Sequence, residues 1–410
     1  MSTVLASPAR VVFNPFAREF VRDPYPFYHA MQRDDPYHRV RDTVVLTRFA
    51  DVRQALASPQ LSSAAIPDLV HAFQQRVGST DLHRLYELGR KAIVFTDRPE
   101  HARLRRLVGR CFSRDRLARW EPMLERAAQA RVAPFGAAGG DFVGAVAGPY
   151  CMDALLELLG LPAADAERID RWSTNLRWLL EPGFLTPQRL LKTYRQLEDC
   201  FAYMREAVNA RQREPRDDLI SELLRPDGAD GLQTDEAAYS CIMVFVAGKE
   251  TTKALMGNAL HALASHPQEQ AWLREDPLRL PGFINESLRF DAPLQQTKRV
   301  CRETCRIGER AFETGTSLLL CLGAANRDPA EFADPDRFDP RRPAMPNLAL
   351  GHGMHHCLGM QLSKLMAQHL FRALLARWRS VHLLDADPPR IRSSFILRGF
   401  QSLRIGITPA

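Results

Sequence analysis

From residue 97 to about 260, apolar side chains return every three or four positions, which predicts a stretch that is almost all helix. Breaks fall at Pro182-Gly183 and Pro226-Asp227-Gly228. Earlier, residues 24–35 read as a short helix opened by proline, and Thr43-Val44-Val45-Leu46-Thr47 as a strand. A helix begins at Asp51–Leu56, and residues 59–90 read as loop with some helix. Strand-like pieces return after 293, around Arg306-Ile307-Gly308 and Ser317–Cys321, with a final strand pair expected at 391–407. The chain thus reads as one domain, 1–410, mainly α with a minor β-sheet region. Its β-rich part falls at about 35–50, 293–321 and 391–407, its helical part at about 97–290 and 357–378.

Two helices stand out. Thr234 is placed to cap a helix running from Asp235 to about Ser265, stopped by His266-Pro267. Its roughly 31 residues span about 46 Å, enough to cross the molecule. The segment Ile242–Ala247 is apolar on every side, so the middle is expected to be buried. A second helix is expected from Cys357 or Leu358, with Leu362, Leu365, Met366, Phe371 and Leu374 on its apolar face.

Composition narrows the class. Of 410 residues, 45% are hydrophobic and 25% charged, a mixture that buries a large core. The net charge of +7 comes from basic residues spread along the chain, which argues against nucleic acid and suits an acidic protein partner. No apolar run reaches the roughly 18–20 residues that span a bilayer. The opening residues lack a secretion signal, so a cytoplasmic protein is expected. Eight cysteines show no disulfide spacing, and only Cys357 has unusual neighbours.

Those neighbours are LGHGMHHCLG, residues 350–359. Zinc fits poorly, because structural zinc sites pair two separated ligand clusters and here everything lies within six residues. A lone cysteine ligand fits better. Gly351, Gly353 and Gly359 permit tight turns and the close approach of a flat ligand, and a helix N-terminus favours a thiolate. Such a thiolate suits one axial bond to haem iron, although a buried cysteine in a glycine-rich turn reads equally well in isolation. In the apolar helix, Ala247-Gly248-Lys249-Glu250-Thr251-Thr252 sets an acid before a hydroxyl, costly there unless satisfied or used. Thr251 is placed to bond back to the carbonyl of Ala247 and open the helix, which a capped kink would also explain. Glu286 and Arg289 share one helix face and read as an ion pair, at the surface or buried.

Taken together, these residues resemble the cytochrome P450 family, specifically its soluble bacterial members, from about residue 13 to 407. The haem loop Phe-Gly-x-Gly-x-His-x-Cys-x-Gly corresponds to residues 350–359, the Ala-Gly-x-Asp/Glu-Thr-Thr/Ser motif to Ala247–Thr252, and Glu-x-x-Arg to Glu286–Arg289. The resemblance implies a P450-like fold with haem b between the long helix and the cysteine loop. It implies Cys357 as metal ligand, with His101, Arg105, Arg299 and His355 toward the propionates. Ala247, Gly248, Ala349, Gly351 and Gly359 would border the cofactor. Glu286, Arg289 and a third member, Arg337, would form a structural ion network. Leu350 departs from the family's usual Phe, which puts the tuning of the iron in question.

The activity so implied is insertion of one oxygen atom from O₂ into a small, largely hydrophobic molecule, in the manner of polyketide, peptide or terpenoid tailoring. Thr251 and Glu250 would guide protons. Val244, Leu294, Phe395 and Ile396 would touch substrate, along with segments 60–90 and 176–185. No flavin or iron–sulfur module is present, so electrons are expected from a separate ferredoxin and its reductase. That ferredoxin would dock near Arg106, Arg110, His352 and Lys364. The substrate would arrive free or tethered to a carrier protein, and the enzyme would act as a monomer. Rival readings are a peroxide-driven haem-thiolate enzyme and a non-catalytic haem sensor. Neither has a use for the Glu250-Thr251 pair.

Overall fold

The computed structural model describes residues 13–64, 66–77, 81–136, 139–181, 185–343 and 345–410. The Pro182-Gly183 break and the first twelve residues lie outside them. The fold is mainly helical. Ten short strands are β1 (Tyr37–Val40), β2 (Thr43–Leu46), β3 (Leu61–Ser62), β4 (Gly140–Asp141), β5 (Gln296–Cys301), β6 (Cys305–Ile307), β7 (Arg310–Phe312), β8 (Ser317–Cys321), β9 (Trp378–Leu383) and β10 (Arg404–Pro409).

They form three sheets among the described residues. Five strands run in the order β1-β2-β8-β5-β3, three as β4-β10-β9, and β6 pairs with β7. The β2–β8 pairing is parallel, with Val45 opposite Leu319. It joins the N-terminal part of the chain to the segment that precedes the cysteine loop. The apolar runs Val44-Val45-Leu46 and Leu318–Cys321 are buried throughout, as a sheet covered on both faces requires.

The central helix, Thr234–Ser265, is the axis of the molecule. Its start differs from expectation. Gln233, with extended backbone, is the cap: its side chain accepts from the Glu236 N–H while Glu236 Oε2 accepts from the Gln233 N–H at 2.8 Å. The Thr234 hydroxyl instead accepts from Gln212 Nε2 at 3.0 Å. Pro267 ends the helix as expected and opens the next, Pro267–Glu275.

Other expectations need correction. Residues 59–90 are more helical than their mixed pattern suggests, with helices Ile66–Val77 and His83–Lys91. The final strand pair is β9 with β10. Residues 391–400 contribute only isolated bridges, Leu294 to Leu397 and Arg390 to Phe400. The closing helix is Met360–Leu375, so Cys357 lies three residues before it. Gly359 is the cap, and the Cys357 N–H bonds to the Leu350 carbonyl at 2.8 Å rather than entering the helix.

Candidate active site

The central helix is buried along nearly its whole length, except at its middle. There Val244, Gly248 and Thr251 are half-buried and Ala247 is exposed. Positions i, i+3, i+4 and i+7 share one helix face, so this stripe borders an opening inside the molecule. The Thr251 hydroxyl donates to the Ala247 carbonyl at 2.6 Å, the back-bond expected from the sequence.

The cysteine loop is built by glycines in the left-handed region. Gly351 has φ 74° and Gly353 φ 69°. A Cβ on Gly353 would lie 2.7 Å from the Leu56 carbonyl oxygen, so this turn packs against the helix Phe49–Ala57 and admits no side chain. Ala349 is buried, while Leu350, Cys357 and Gly359 are half-buried. Burial pushes the Cys357 thiol above its ordinary range, against the opposing Gly359 N–H and the Arg105 charge.

Four basic side chains gather beside this loop. The His101 and His355 rings lie 4.3 Å apart between centroids. His355 Nε2 meets Ser63 Oγ at 3.0 Å, and His101 Nε2 is buried with no partner. Arg105 donates to the His356 carbonyl at 2.6 Å. Arg299 is buried and bonds only to Thr297 Oγ1 and the Lys298 carbonyl. Among the described residues neither arginine has an ion pair. Burial lowers Arg299 to about 10. Burial, followed by Arg299, His101 and Arg105, drives His355 down to about 3. Among the described residues Asp97 is the one carboxylate that acts on Arg299 and His101, and its oxygens are taken by the Ser62 hydroxyl and the Ser63 N–H, so this group of donors is left to serve as an anion site.

The comparisons agree with this arrangement. The family model described as cytochrome P450 matches residues 166–400. The chain belongs to the cytochrome P450 family. It is 32% identical over 394 residues to the 6-deoxyerythronolide B hydroxylase of Saccharopolyspora erythraea, spanning 93% of this chain and 96% of that protein. It is 30% identical over 402 residues to the biotin biosynthesis cytochrome P450 of Bacillus subtilis, spanning 94% and 97%. The crystal structure of CalO2 superposes with TM-score 0.88 at 30% identity, covering 98% of this chain and 100% of that one. P450BioI bound to acyl carrier protein ligated with hexadec-9Z-enoic acid gives 0.87 at 28%, covering 95% and 99%.

A cytochrome P450 monooxygenase carries haem, and the residues present fit that group. The unpartnered His101 nitrogen, the two arginines outside any ion pair and the open stripe of the long helix each match one part of it. Two further features of this P450 were not apparent in the sequence. Leu88, Phe95, Leu176, Leu179, Met243 and Val246 enclose a small apolar cavity beside the stripe. Lys249 and Lys253 hold Glu250, at 2.9 and 2.6 Å, and keep its carboxyl down at about 2. Opposite charges at neighbouring and i, i+3 positions were the available signal for the second feature.

Other expected residues are placed differently. Phe395 packs its ring against Phe16, 6.2 Å between centroids, beside the N-terminal aromatic cluster. Ile396 is buried, and its carbonyl accepts from the Gln295 N–H at 2.7 Å. Leu294 is half-buried at the bridge to Leu397. The Arg337 guanidinium is 67% exposed, and only its carbonyl joins Arg289. Arg342 takes the place beside Glu286, at 3.8 Å. Arg106 pairs with Asp227 and Asp230, so it offers little free charge for docking. Arg110 donates to the Pro226 carbonyl, and Lys364 lies 3.4 Å from Asn285 Oδ1. His352 is exposed as expected. No helix among the described residues is long and apolar enough to cross a membrane.

Proposed function

We propose that this monooxygenase inserts one oxygen atom from O₂ into a largely hydrophobic small molecule, at a haem b held by Cys357. When bound, that haem supplies the activation of oxygen. His101, Arg105, Arg299 and His355 would receive its two carboxylates. Ala247, Gly248, Ala349, Gly351 and Gly359 are the small residues that would border it. The observation that carries this reading is half-buried Arg105 and buried Arg299, neither in an ion pair among the described residues, beside a half-buried cysteine on a glycine-built loop.

The chain's own residues supply the rest. Thr251 presents a hydroxyl on the open stripe, and Glu250 brings a carboxylate to the same turn. Together they hold and pass protons on the oxygen-binding side. Val244 on the open stripe, with the apolar side chains that line the small cavity, would meet substrate and exclude water. The cavity's lining supports a substrate that meets it with an apolar chain or ring. The likeness to the 6-deoxyerythronolide B hydroxylase and to P450BioI, solved in complex with a ligated acyl carrier protein, supports a polyketide-like or carrier-tethered molecule. Electrons come from a separate ferredoxin and its reductase.

The deciding experiment is a carbon monoxide difference spectrum of the reduced protein beside Cys357→Ser. A strongly red-shifted Soret band that the variant loses is expected. Folded protein with no such band, or the same band in both, overturns the assignment. Turnover with peroxide and none with ferredoxin would replace the O₂ reading by the peroxide-driven one.

A further inference from the structure

Two thiols that the proposed reaction does not use face each other where β5 ends. Cys301 closes that strand and Cys305 opens β6, with Arg302, Glu303 and Thr304 exposed in the turn between them. Cys301 is fully buried and Cys305 is 7% exposed. Both belong to the small core that also holds Phe49, Val52, Ile307 and Phe312. Their sulfurs lie 4.0 Å apart. A disulfide holds its sulfurs about 2.05 Å apart, so each sulfur moves by about 1 Å to form one.

The backbone on both sides is pinned. The Cys301 N–H donates to the Thr316 carbonyl at 2.9 Å, and its own carbonyl accepts from the Gly315 N–H at 2.8 Å. The Arg302 N–H donates to the Gln60 carbonyl at 2.9 Å. Cys305 stands opposite Phe312 in the pairing of β6 with β7. Separate strand pairings thus set the two sulfurs face to face, which their spacing in the sequence does not announce. Burial raises the Cys301 thiol to about 12, so it stays protonated and slow on its own. Cys305, the nearer to the surface, is the sulfur that a reagent meets first.

We propose that Cys301 and Cys305 are a redox site, oxidised by a small disulfide such as glutathione disulfide to a reversible crosslink that fixes the end of β5. The Cys305 thiol loses its proton, and its sulfur attacks one sulfur of glutathione disulfide. That S–S bond breaks, and one glutathione leaves and takes up the proton. Cys301 then gives up its proton and attacks the Cys305 sulfur of the mixed disulfide. The second glutathione leaves in the same way. Two protein thiols are oxidised, one small disulfide is reduced to two thiols, and excess thiol drives both steps back.

The test equilibrates the holoenzyme in mixtures of glutathione and glutathione disulfide, blocks free thiols with iodoacetamide, and digests with trypsin without reduction. Cleavage after Arg299, Arg302 and Arg306 puts the two cysteines on separate peptides, Val300–Arg302 and Glu303–Arg306. The linked pair of peptides should grow as disulfide replaces thiol, vanish when thiol is restored, and appear while the haem spectrum is unchanged. Cys301→Ser should keep glutathione on Cys305. Cys305→Ser should leave Cys301 without it. Hydrogen exchange at the Cys301 and Arg302 amides should slow in the oxidised protein. No linked peptides in folded protein at any mixture, or linked peptides only after the haem spectrum is lost, overturns the site. Glutathione on Cys301 in Cys305→Ser overturns the order of attack, and equal exchange in the two forms overturns the fixing of β5.

Discussion

Arg289 clasps Glu286 through two hydrogen bonds, Nε to Oε2 at 2.8 Å and Nη2 to Oε1 at 2.7 Å, with both side chains buried. The remaining reach of the guanidinium goes to the carbonyls of Asn326, Pro335 and Arg337. Glu286 Oε1 also accepts from the Asp339 N–H at 2.9 Å. The pair thus ties the helix Leu280–Phe290 to the segment that leads into the cysteine loop. Arg289→Met leaves a buried carboxylate with only the more distant Arg342, at 3.8 Å, for counter-charge, at a cost of about 3 kcal/mol. Arg337→Ala removes an exposed side chain and changes stability by no more than about 0.5 kcal/mol. Urea unfolding of the two variants compares them, and equal losses would put Arg337 back into the network.

Arg299 predicts two effects of opposite sign. Its guanidinium is buried with no ion pair among the described residues, and the pull of Asp97 does not offset its burial, so the cofactor-free protein carries a poorly compensated charge. Arg299→Met should raise the unfolding midpoint of the cofactor-free protein. The same change removes a partner for a propionate, so haem content falls and haem is lost faster. A fall in both quantities would mean that Arg299 serves the fold and not the cofactor.

Thr251→Ala keeps the helix and removes the hydroxyl. Reductant consumption should continue while product falls and hydrogen peroxide rises. Product loss should approach the roughly 100-fold at the lower end of what positioned proton transfer contributes. Thr251→Ser should recover most of it. Product and peroxide measured against reductant consumed decide the matter, and unchanged coupling in Thr251→Ala would remove the hydroxyl from the mechanism.

Much of this was legible in the chain because the signals are local. The long helix, its stop at Pro267, the Thr251 back-bond and the glycine turns each depend on residues a few positions apart. What escaped depends on distant partners. Arg337 reads as a third member of the ion network by its place after Asp334-Pro335-Asp336, yet its backbone turns so that the carbonyl, not the guanidinium, meets Arg289. Arg106 reads as a free cation, and only the fold brings it to Asp227 and Asp230. Residues 59–90 lacked a clean period because Ile66–Val77 and His83–Lys91 are short helices whose burial is set by tertiary packing. The apolar cavity draws its walls from four separate segments, and no spacing in the sequence announces that.

His261 makes acid stability a local question. Its ring lies 4.8 Å from that of Phe400, and burial, aided by Arg390, lowers it from 6.5 to about 4 against the pull of Asp291. The folded protein therefore binds fewer protons at this site than the unfolded chain between those values. The contribution is complete above the unfolded value and is lost as pH falls toward 4, by up to about 3 kcal/mol. Glu250, held near 2 in place of 4.5, adds a second loss at lower pH. His261→Phe keeps an aromatic ring against Phe400 and has no proton to take up. Its unfolding midpoint should decline less from pH 6.5 to 5 than that of the unchanged protein, the remaining decline coming from His355 and the other histidines that burial keeps neutral. Parallel declines in the two proteins would assign the loss to other groups.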